Sequence, residues 1–596
     1  MAYPDVNKFL KNSLGELSFS KLNYNGKVAY FTCLSEKDAI ESVKLLDNAK
    51  IKNKIIKAKM VVDDNVKKKK PGKSSKSEIS KTARTASELV TPLANLPYEE
   101  QLEIKFNTSK EIMLYIIKLL MDTKIVDVVR DNICLEKVLP APSIKAYRNK
   151  CEFSFGYSKT KKQIKDEIAV KKLIREAQKY EEDFIPHSPS SPISIIIGFI
   201  NGKMIEGRYD VLPIEECQNL SLNTISVVKH FQTLVNEFNE RPFNEFIRKG
   251  FWKMLTVKDF LGDCMLIVTV YPHKNPLITS RIKNMIVEKF FPPNPLNLLP
   301  DCNVTSIFWQ EQINSSDEKN YELLAGPPFV YESLLGCNFR ISPSTFFQTN
   351  TTGAALLYST IGDLLKLPKL VNVPGSGKLN RLEKIQNKKL VKDETDKNME
   401  ITDNNDSEEF IEKKKPRLDE ENNKELTTNS QKYGSNVFLD ICCGTISDFS
   451  KVPYGCVGVD LNVKSIRDAR QNALENGFGD KNCLFICGQA ECVFKDLMYY
   501  MPKGCFLQNA NVMGILDPPR GGTSDKVIIW CRKLYQLQTL IYVSCDPRAA
   551  AKNFVDLCRP MSCKYDGKPF RIVSIQPVDL FPMTDHIEWI LKFERV

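Results

Sequence analysis

Val437-Phe-Leu-Asp440-Ile-Cys-Cys443-Gly444 decides the fold of the C-terminal half. It reads as an apolar strand ending in an acidic residue and a glycine turn, the arrangement that lets a nucleotide-like cofactor approach main chain at a strand's C-terminal end. Outward from it, Val457-Gly-Val-Asp460 is a second strand ending in a carboxylate, placed to bind both ribose hydroxyls. Further strands run into Gly514-Ile-Leu-Asp517-Pro-Pro-Arg520 and Ile541-Tyr-Val-Ser-Cys545-Asp-Pro547. Strand and helix patterns alternate from 437 to the C-terminus, predicting an α/β, doubly wound sheet. Cys545, in a turn directly after a strand, stands where a nucleophile would stand; a buried core thiol is the competing reading. Near the end comes Asp585-His586-Ile587-Glu588, with Glu588 either a reactive carboxyl or a surface one.

Upstream, Ser342-Pro-Ser-Thr-Phe-Phe-Gln348-Thr-Asn350 precedes a charge-dense stretch at about 373–434, which we expect to be a disordered insertion. The expected division is a small α/β unit at 1–65, a basic disordered linker at 66–90, a helical entry and α+β domain at 91–329, and the sheet domain at 330–596. A long helix is predicted over Lys110 to Asp122. In the first unit, helix–strand–strand–helix–strand spacing resembles an RNA-recognition-motif domain lacking its first strand, with Tyr30 as the one aromatic on the outer face.

The chain has 596 residues, too many for a single core, with 42% hydrophobic and 26% charged residues. The net charge of 84 − 73 = +11 suits a polyanionic partner without demanding one. The longest apolar run, Ile193 to Ile200, is far too short to cross a bilayer. The opening Met-Ala-Tyr-Pro-Asp has neither a basic start nor an apolar stretch, so cytoplasm and/or nucleus is expected. Eighteen cysteines without a repeating framework fit reduced thiols. Cys483, Cys487 and Cys492 have no matching Cys/His pair and only four histidines to draw on, so no metal site is expected.

Taken in order, Phe-Phe-Gln-Thr-Asn350, Asp517-Pro-Pro-Arg and Val-Ser-Cys545-Asp-Pro resemble the tRNA uracil-5 methyltransferase family. Within it, Thr91-Pro-Leu-Ala-Asn-Leu-Pro-Tyr98-Glu-Glu and Tyr147-Arg-Asn-Lys150-Cys-Glu-Phe-Ser-Phe-Gly156 resemble the eukaryotic cytosolic branch with an N-terminal RNA-recognition-motif-like domain. The Asp-Pro-Pro-Arg turn also argues against a nicotinamide cofactor, since it resembles the base-binding turn of nucleobase methyltransferases. The resemblance implies a Rossmann-like class I methyltransferase domain behind an RNA-contacting α+β domain. It implies S-adenosyl-L-methionine as cofactor and tRNA as partner, with methylation of uracil C5 at T-loop position 54 and no iron–sulfur cluster. Cys545 is implied as nucleophile and Glu588 as base. Gln348, Cys442, Gly444, Asp460 and Asp517 are implied at the cofactor, Asp517 also at the uracil, and Arg148 and Lys150 at the RNA. One departure is visible: Cys443-Gly444-Thr445-Ile446-Ser447-Asp448 lacks the family's second glycine, and the stretch to Asp460 is short. An RNA-binding or tRNA-folding protein with weakened methyltransferase activity is the alternative this departure leaves open.

Overall fold

A computed structural model describes residues 3–14, 19–24, 29–33, 36–51, 54–58, 85–123, 125, 133–157, 194–201, 211–238, 240–245, 248–260, 262–293, 299–314, 316–367, 436–441, 455–478, 483–502 and 505–596. The chain forms two compact units, Met1–Ala83 and Arg84–Val596. The insertion expected at 373–434 lies outside the described residues, as do residues 66–84 of the expected linker.

In the first unit the helices Tyr3–Leu14 and Glu36–Leu46 share a core of Val6, Leu10, Leu14 and Leu46, residues at helical spacing. Phe19–Tyr24 pairs antiparallel with Ala29–Cys33, and Lys50–Ile51 with Lys54–Ile55. These are two separate two-stranded pieces, so the single sheet of an RNA-recognition motif is not formed among the described residues. For the last strand, expected over Ile55 to Val62, Ile55 pairs with Lys50 and Ile56 exchanges main-chain hydrogen bonds with Asn48 and Ala49, and residues 59–62 lie outside the described part. Tyr30 is 54% exposed.

The second unit holds two large sheets. The C-terminal one contains β1 (Cys134–Leu135), β2 (Asn436–Ile441), β3 (Gly455–Asp460), β4 (Cys483–Cys487), β5 (Asn511–Leu516), β6 (Leu537–Ser544), β7 (Phe570–Val578) and β8 (Glu588–Arg595), in the spatial order β4-β3-β2-β5-β6-β8-β7-β1. Strands β2 to β6 are mutually parallel, and β8 runs antiparallel between β6 and β7. A parallel sheet covered on both faces needs near-continuous apolar strands, and alternate residues serve opposite faces. Leu439 and Val457 enter one core, while Phe438 and Cys456 enter the other. The order reverses between β2 and β5, which opens the ligand crevice of a doubly wound sheet at the strands' C-terminal ends. This is the Rossmann-like architecture that the strand pattern predicts.

The central sheet has seven strands: Glu322–Ala325, Ser306–Glu311, Asp263–Val270, Trp252–Phe260, Lys150–Tyr157, Ile195–Ile200 and Val211–Leu212, in that spatial order. Helices Leu222–Val235 and Pro276–Phe290 bury Phe231 and Ile286 against it. The hairpin Val330–Leu334/Cys337–Ile341 packs on Phe260, Met265 and Phe308 of this sheet, although sequence reading places it with the C-terminal domain.

Two further boundaries differ from expectation. Ala86–Val90, expected to be linker, is a helix with a complete capping box: Thr85 and Glu88 exchange hydrogen bonds, and Ala86 enters the central core. The long helix, α1, starts twelve residues earlier than predicted and covers Tyr98–Asp122. Its Ile112, Ile116 and Leu120 pack into the core of the C-terminal sheet, and β1 adds to β7 in the same sheet. The described parts of the entry segment, 98–123 and 133–139, therefore belong to the C-terminal sheet rather than to the central domain, because the apolar stripe of α1 finds its matching surface there.

Candidate active site

The strand ends assemble the chemistry. Strand β5 runs into Asp517, whose N–H donates to the Ile441 carbonyl at 3.4 Å and ties this turn to the end of β2. Strand β6 runs into Ser544 and Cys545, followed by Asp546 as N-cap and Pro547 as first residue of α3 (Pro547–Cys558; α2 is Val463–Glu475, after β3). The Asp546 carboxylate accepts from the Ala549 N–H at 3.0 Å. Cys545 is thus pinned between a strand end and a capped helix start, half-buried. Ser544 pairs with Trp589 at the end of the β6–β8 ladder, so Cys545 leaves β6 beside the point where Glu588 begins β8. Glu588 is 4% exposed.

These groups feel one another. Burial first, then the Glu588 and Asp517 carboxyls, push the Cys545 thiol up to about 11, while Arg520 pulls the other way. Burial, then Asp517, holds the Glu588 carboxyl well above the usual range, again opposed by Arg520. Burial alone pushes Asp517 up to about 7. Two acids and a thiol in one enclosed corner cannot all ionise, and a guanidinium supplies the countercharge.

Gln348 lies in the loop between the central hairpin and the helix Thr351–Leu364. Asn149 donates to the Gln348 carbonyl at 2.9 Å and to Thr351 Oγ1 at 2.8 Å. Asn350 caps the helix through the Gly353 N–H at 2.9 Å and donates to the Leu580 carbonyl at 2.9 Å, joining this loop to the segment that leads into Glu588. The loop is clamped on both sides. Lys258 Nζ donates to the carbonyls of Ser342, Pro343 and Thr345 at 2.9, 2.9 and 3.0 Å. Asp468 of α2 accepts from the hydroxyls of Ser342 and Thr345 and from Arg340.

Asp460 ends β3 on the same edge of the sheet, where its carboxylate accepts from the Asn462 N–H at 2.8 Å and its carbonyl from the Gly488 N–H. Leu461 beside it is exposed. Cys442 and Gly444 lie outside the described residues, as does the shortened loop around them. Arg148 and Lys150 are not part of the cluster. Arg148 bridges main chain to Asn350 and donates to the Lys150 carbonyl, whereas Lys150 pairs with Glu152 at 2.9 Å on the central sheet. The three cysteines weighed for a metal diverge: Cys483 hydrogen-bonds Cys456, Cys487 contacts the Leu461 carbonyl and Cys492 the Gln489 side chain.

Sequence reading assigns no role to Asn149, Lys258, Asp468 or Arg520. A lysine inside the otherwise apolar strand Trp252–Phe260 was the available signal for Lys258.

No family model matches the chain. Human tRNA (uracil-5-)-methyltransferase homolog B is 27% identical over 526 residues, covering 85% of this chain and 83% of that protein. Human homolog A is 26% identical over 620 aligned positions, covering 100% of this chain and 81% of that protein. Among solved structures, the Pyrococcus abyssi tRNA (uracil-54, C5)-methyltransferase with S-adenosyl-L-homocysteine matches at 17% identity and TM-score 0.46, covering 85% of this chain and 84% of that one. Over most of its length the chain is thus similar to the tRNA (uracil-5-)-methyltransferase homologues A and B.

Proposed function

We propose that this chain methylates uracil C5 in tRNA, at the T-loop uridine of position 54, using S-adenosyl-L-methionine. The observation that carries the proposal is the meeting of Cys545, just past the end of β6, with Glu588, the first residue of the neighbouring β8, and with Asp517, whose charge acts on both. Uracil C5 is a weak carbon nucleophile. Addition of the Cys545 thiolate to C6 moves the ring electron pair onto C5 and O4, and the resulting enolate carbon takes the methyl group. Glu588, once ionised, removes the C5 proton; that bonding pair re-forms the C5–C6 double bond as the Cys545 sulfur leaves C6. Arg520, the charge that opposes both upward shifts, stabilises the thiolate and the Glu588 carboxylate when they form. Asp517 holds the polar edge of the uracil.

S-adenosylmethionine supplies the electrophilic methyl group. The residues present fit it: Asp460 offers a carboxylate to ribose hydroxyls and exposed Leu461 offers an apolar surface to an adenine, and Gln348 and Asp517 would be its further contacts. A uracil in a folded tRNA must leave its stack to reach this corner. Arg148 and Lys150 serve as RNA contacts on the central sheet.

The test is nucleoside mass spectrometry of unmodified tRNA incubated with the protein and cofactor. 5-Methyluridine should appear with the wild type and be absent with Cys545→Ala. Its absence with the wild type, with tRNA still bound, favours the tRNA-folding alternative.

A further inference from the structure

Helix α1 carries a single inward stripe whose two halves differ in chemistry. Tyr98, Gln101, Lys105 and Ser109 follow one another at spacings of three or four residues, and Ile112, Ile116 and Leu120 continue the same face. The apolar half packs on the sheet. Every member of the polar half bonds to the segment that delivers Glu588. Tyr98 Oη donates to Asp579 Oδ2 at 2.9 Å, and Lys105 Nζ pairs with Asp579 Oδ1 at 2.5 Å and with the Phe581 carbonyl at 2.9 Å. Gln101 Oε1 accepts from the Met583 N–H at 2.9 Å, and Ser109 Oγ accepts from Trp589 Nε1 at 3.0 Å. Both side chains of the ion pair are completely enclosed. The connection from Asp579 to Ile587 is irregular, with Met583 at φ +65°, so these bonds replace the ladder that ends with β7.

A buried ion pair is a poor device for stability, since apolar side chains of similar volume do as well or better. Its directionality is what apolar packing lacks. Resting on the uracil-methylating reading above, we propose that the polar half of the α1 stripe, centred on Lys105 and Asp579, sets the position of Glu588 for removal of the C5 proton. Lys105 and Tyr98 are positioning residues that act through Asp579 and touch neither base nor cofactor. Their loss leaves Cys545 addition and methyl transfer intact and slows the step that re-forms the C5–C6 double bond and frees the sulfur.

The experiment uses the full-length protein and labelled tRNA with two variants. Lys105→Met/Asp579→Leu removes both charges together, leaving no unpaired one buried, and Tyr98→Phe removes the hydroxyl's two hydrogen bonds, to Asp579 and from the Ala141 N–H, while keeping the pair. Thermal melting, KM for tRNA, turnover, and the covalent protein–RNA band on a denaturing gel are read for each. The double variant should melt close to the wild type with an unchanged KM, turn over ~10- to 100-fold more slowly, and accumulate a cofactor-dependent covalent band. Tyr98→Phe should shift turnover and band in the same direction by ~3- to 10-fold, which keeps the test decisive if the double variant does not fold. Wild-type turnover in folded Tyr98→Phe, or slow turnover without the band in either variant, overturns the positioning role. A wild-type protein that yields neither 5-methyluridine nor a band contradicts the functional reading itself, a result distinguishable from normal product with unaffected variants.

Discussion

Two loops meet at the active-site corner, each fastened by a buried lysine, and the fastenings differ. The Ser342–Asn350 loop, which carries Gln348, hangs from Lys258 by three main-chain carbonyls. The Asp579–Ile587 loop, which delivers Glu588, hangs from Lys105 by a carboxylate and a single carbonyl. Burial pushes Lys258 down to about 7, with a neighbouring lysine, Lys150, adding to the effect and Asp468 and Glu152 opposing it from a distance. Burial also lowers Lys105, but there Asp579 works against it. A neutral amine has two N–H donors, so Lys258 gives up one of its three carbonyl bonds when it loses its proton. The Ser342–Asn350 loop therefore loses a tie when Lys258 gives up its proton, whereas the Asp579–Ile587 loop is held by a direct carboxylate–ammonium pair. Chemistry that needs a proton removed from one carbon calls for the second arrangement.

The comparison breaks most visibly in stability. Lys105→Met strands the Asp579 charge inside the protein and should cost ~3–5 kcal/mol in denaturant unfolding. Lys258→Met strands only carbonyls and removes a costly buried cation, so ~0–2 kcal/mol is expected. Equal losses would erase the distinction between the two fastenings.

A smaller effect sharpens it through pH. Between about pH 7 and 10 the unfolded chain holds the Lys258 proton and the folded chain does not, so this group makes stability rise with pH in that window. Melting from pH 7 to 9 should show ~1–2 kcal/mol more gain in the wild type than in Lys258→Met. Asp517 has the opposite sign. Its folded value of about 7 exceeds that of the unfolded chain, so stability is present at low pH and lost as pH rises from about 4 to 7. Asp517→Asn should remove that slope and gain ~1 kcal/mol at pH 8 relative to pH 5, read by the same melting series.

The strand–turn–acid pattern around Asp440 and Asp460 was legible because a buried parallel strand must be continuously apolar and its functional residue must stand at the end. The turns bearing Asp517 and Cys545 were legible for the same reason, and the structure gathers both with Glu588. What holds them there was not legible. Lys105 and Asp579 are 474 positions apart, and nothing in either neighbourhood marks a partner. The polar half of the α1 stripe looks like a solvated helix surface, so sequence reading starts the helix at Lys110, where polar positions give way to Ile112 and Ile116. Periodicity finds helices by their apolar faces, and a face buried through hydrogen bonds escapes it. The Thr85–Glu88 capping box was readable and was hidden by the basic run before it.

The central claim is that Cys545 and Glu588 divide one reaction between them, and Glu588→Gln tests it most directly. Labelled tRNA, cofactor and this variant, resolved on a denaturing gel, should give a retarded protein–RNA band, because thiol addition and methyl transfer proceed while proton removal does not. The band should need cofactor and vanish in Cys545→Ala/Glu588→Gln. A band that persists in the double variant places the nucleophile elsewhere, and wild-type turnover by Glu588→Gln contradicts the assignment of the base.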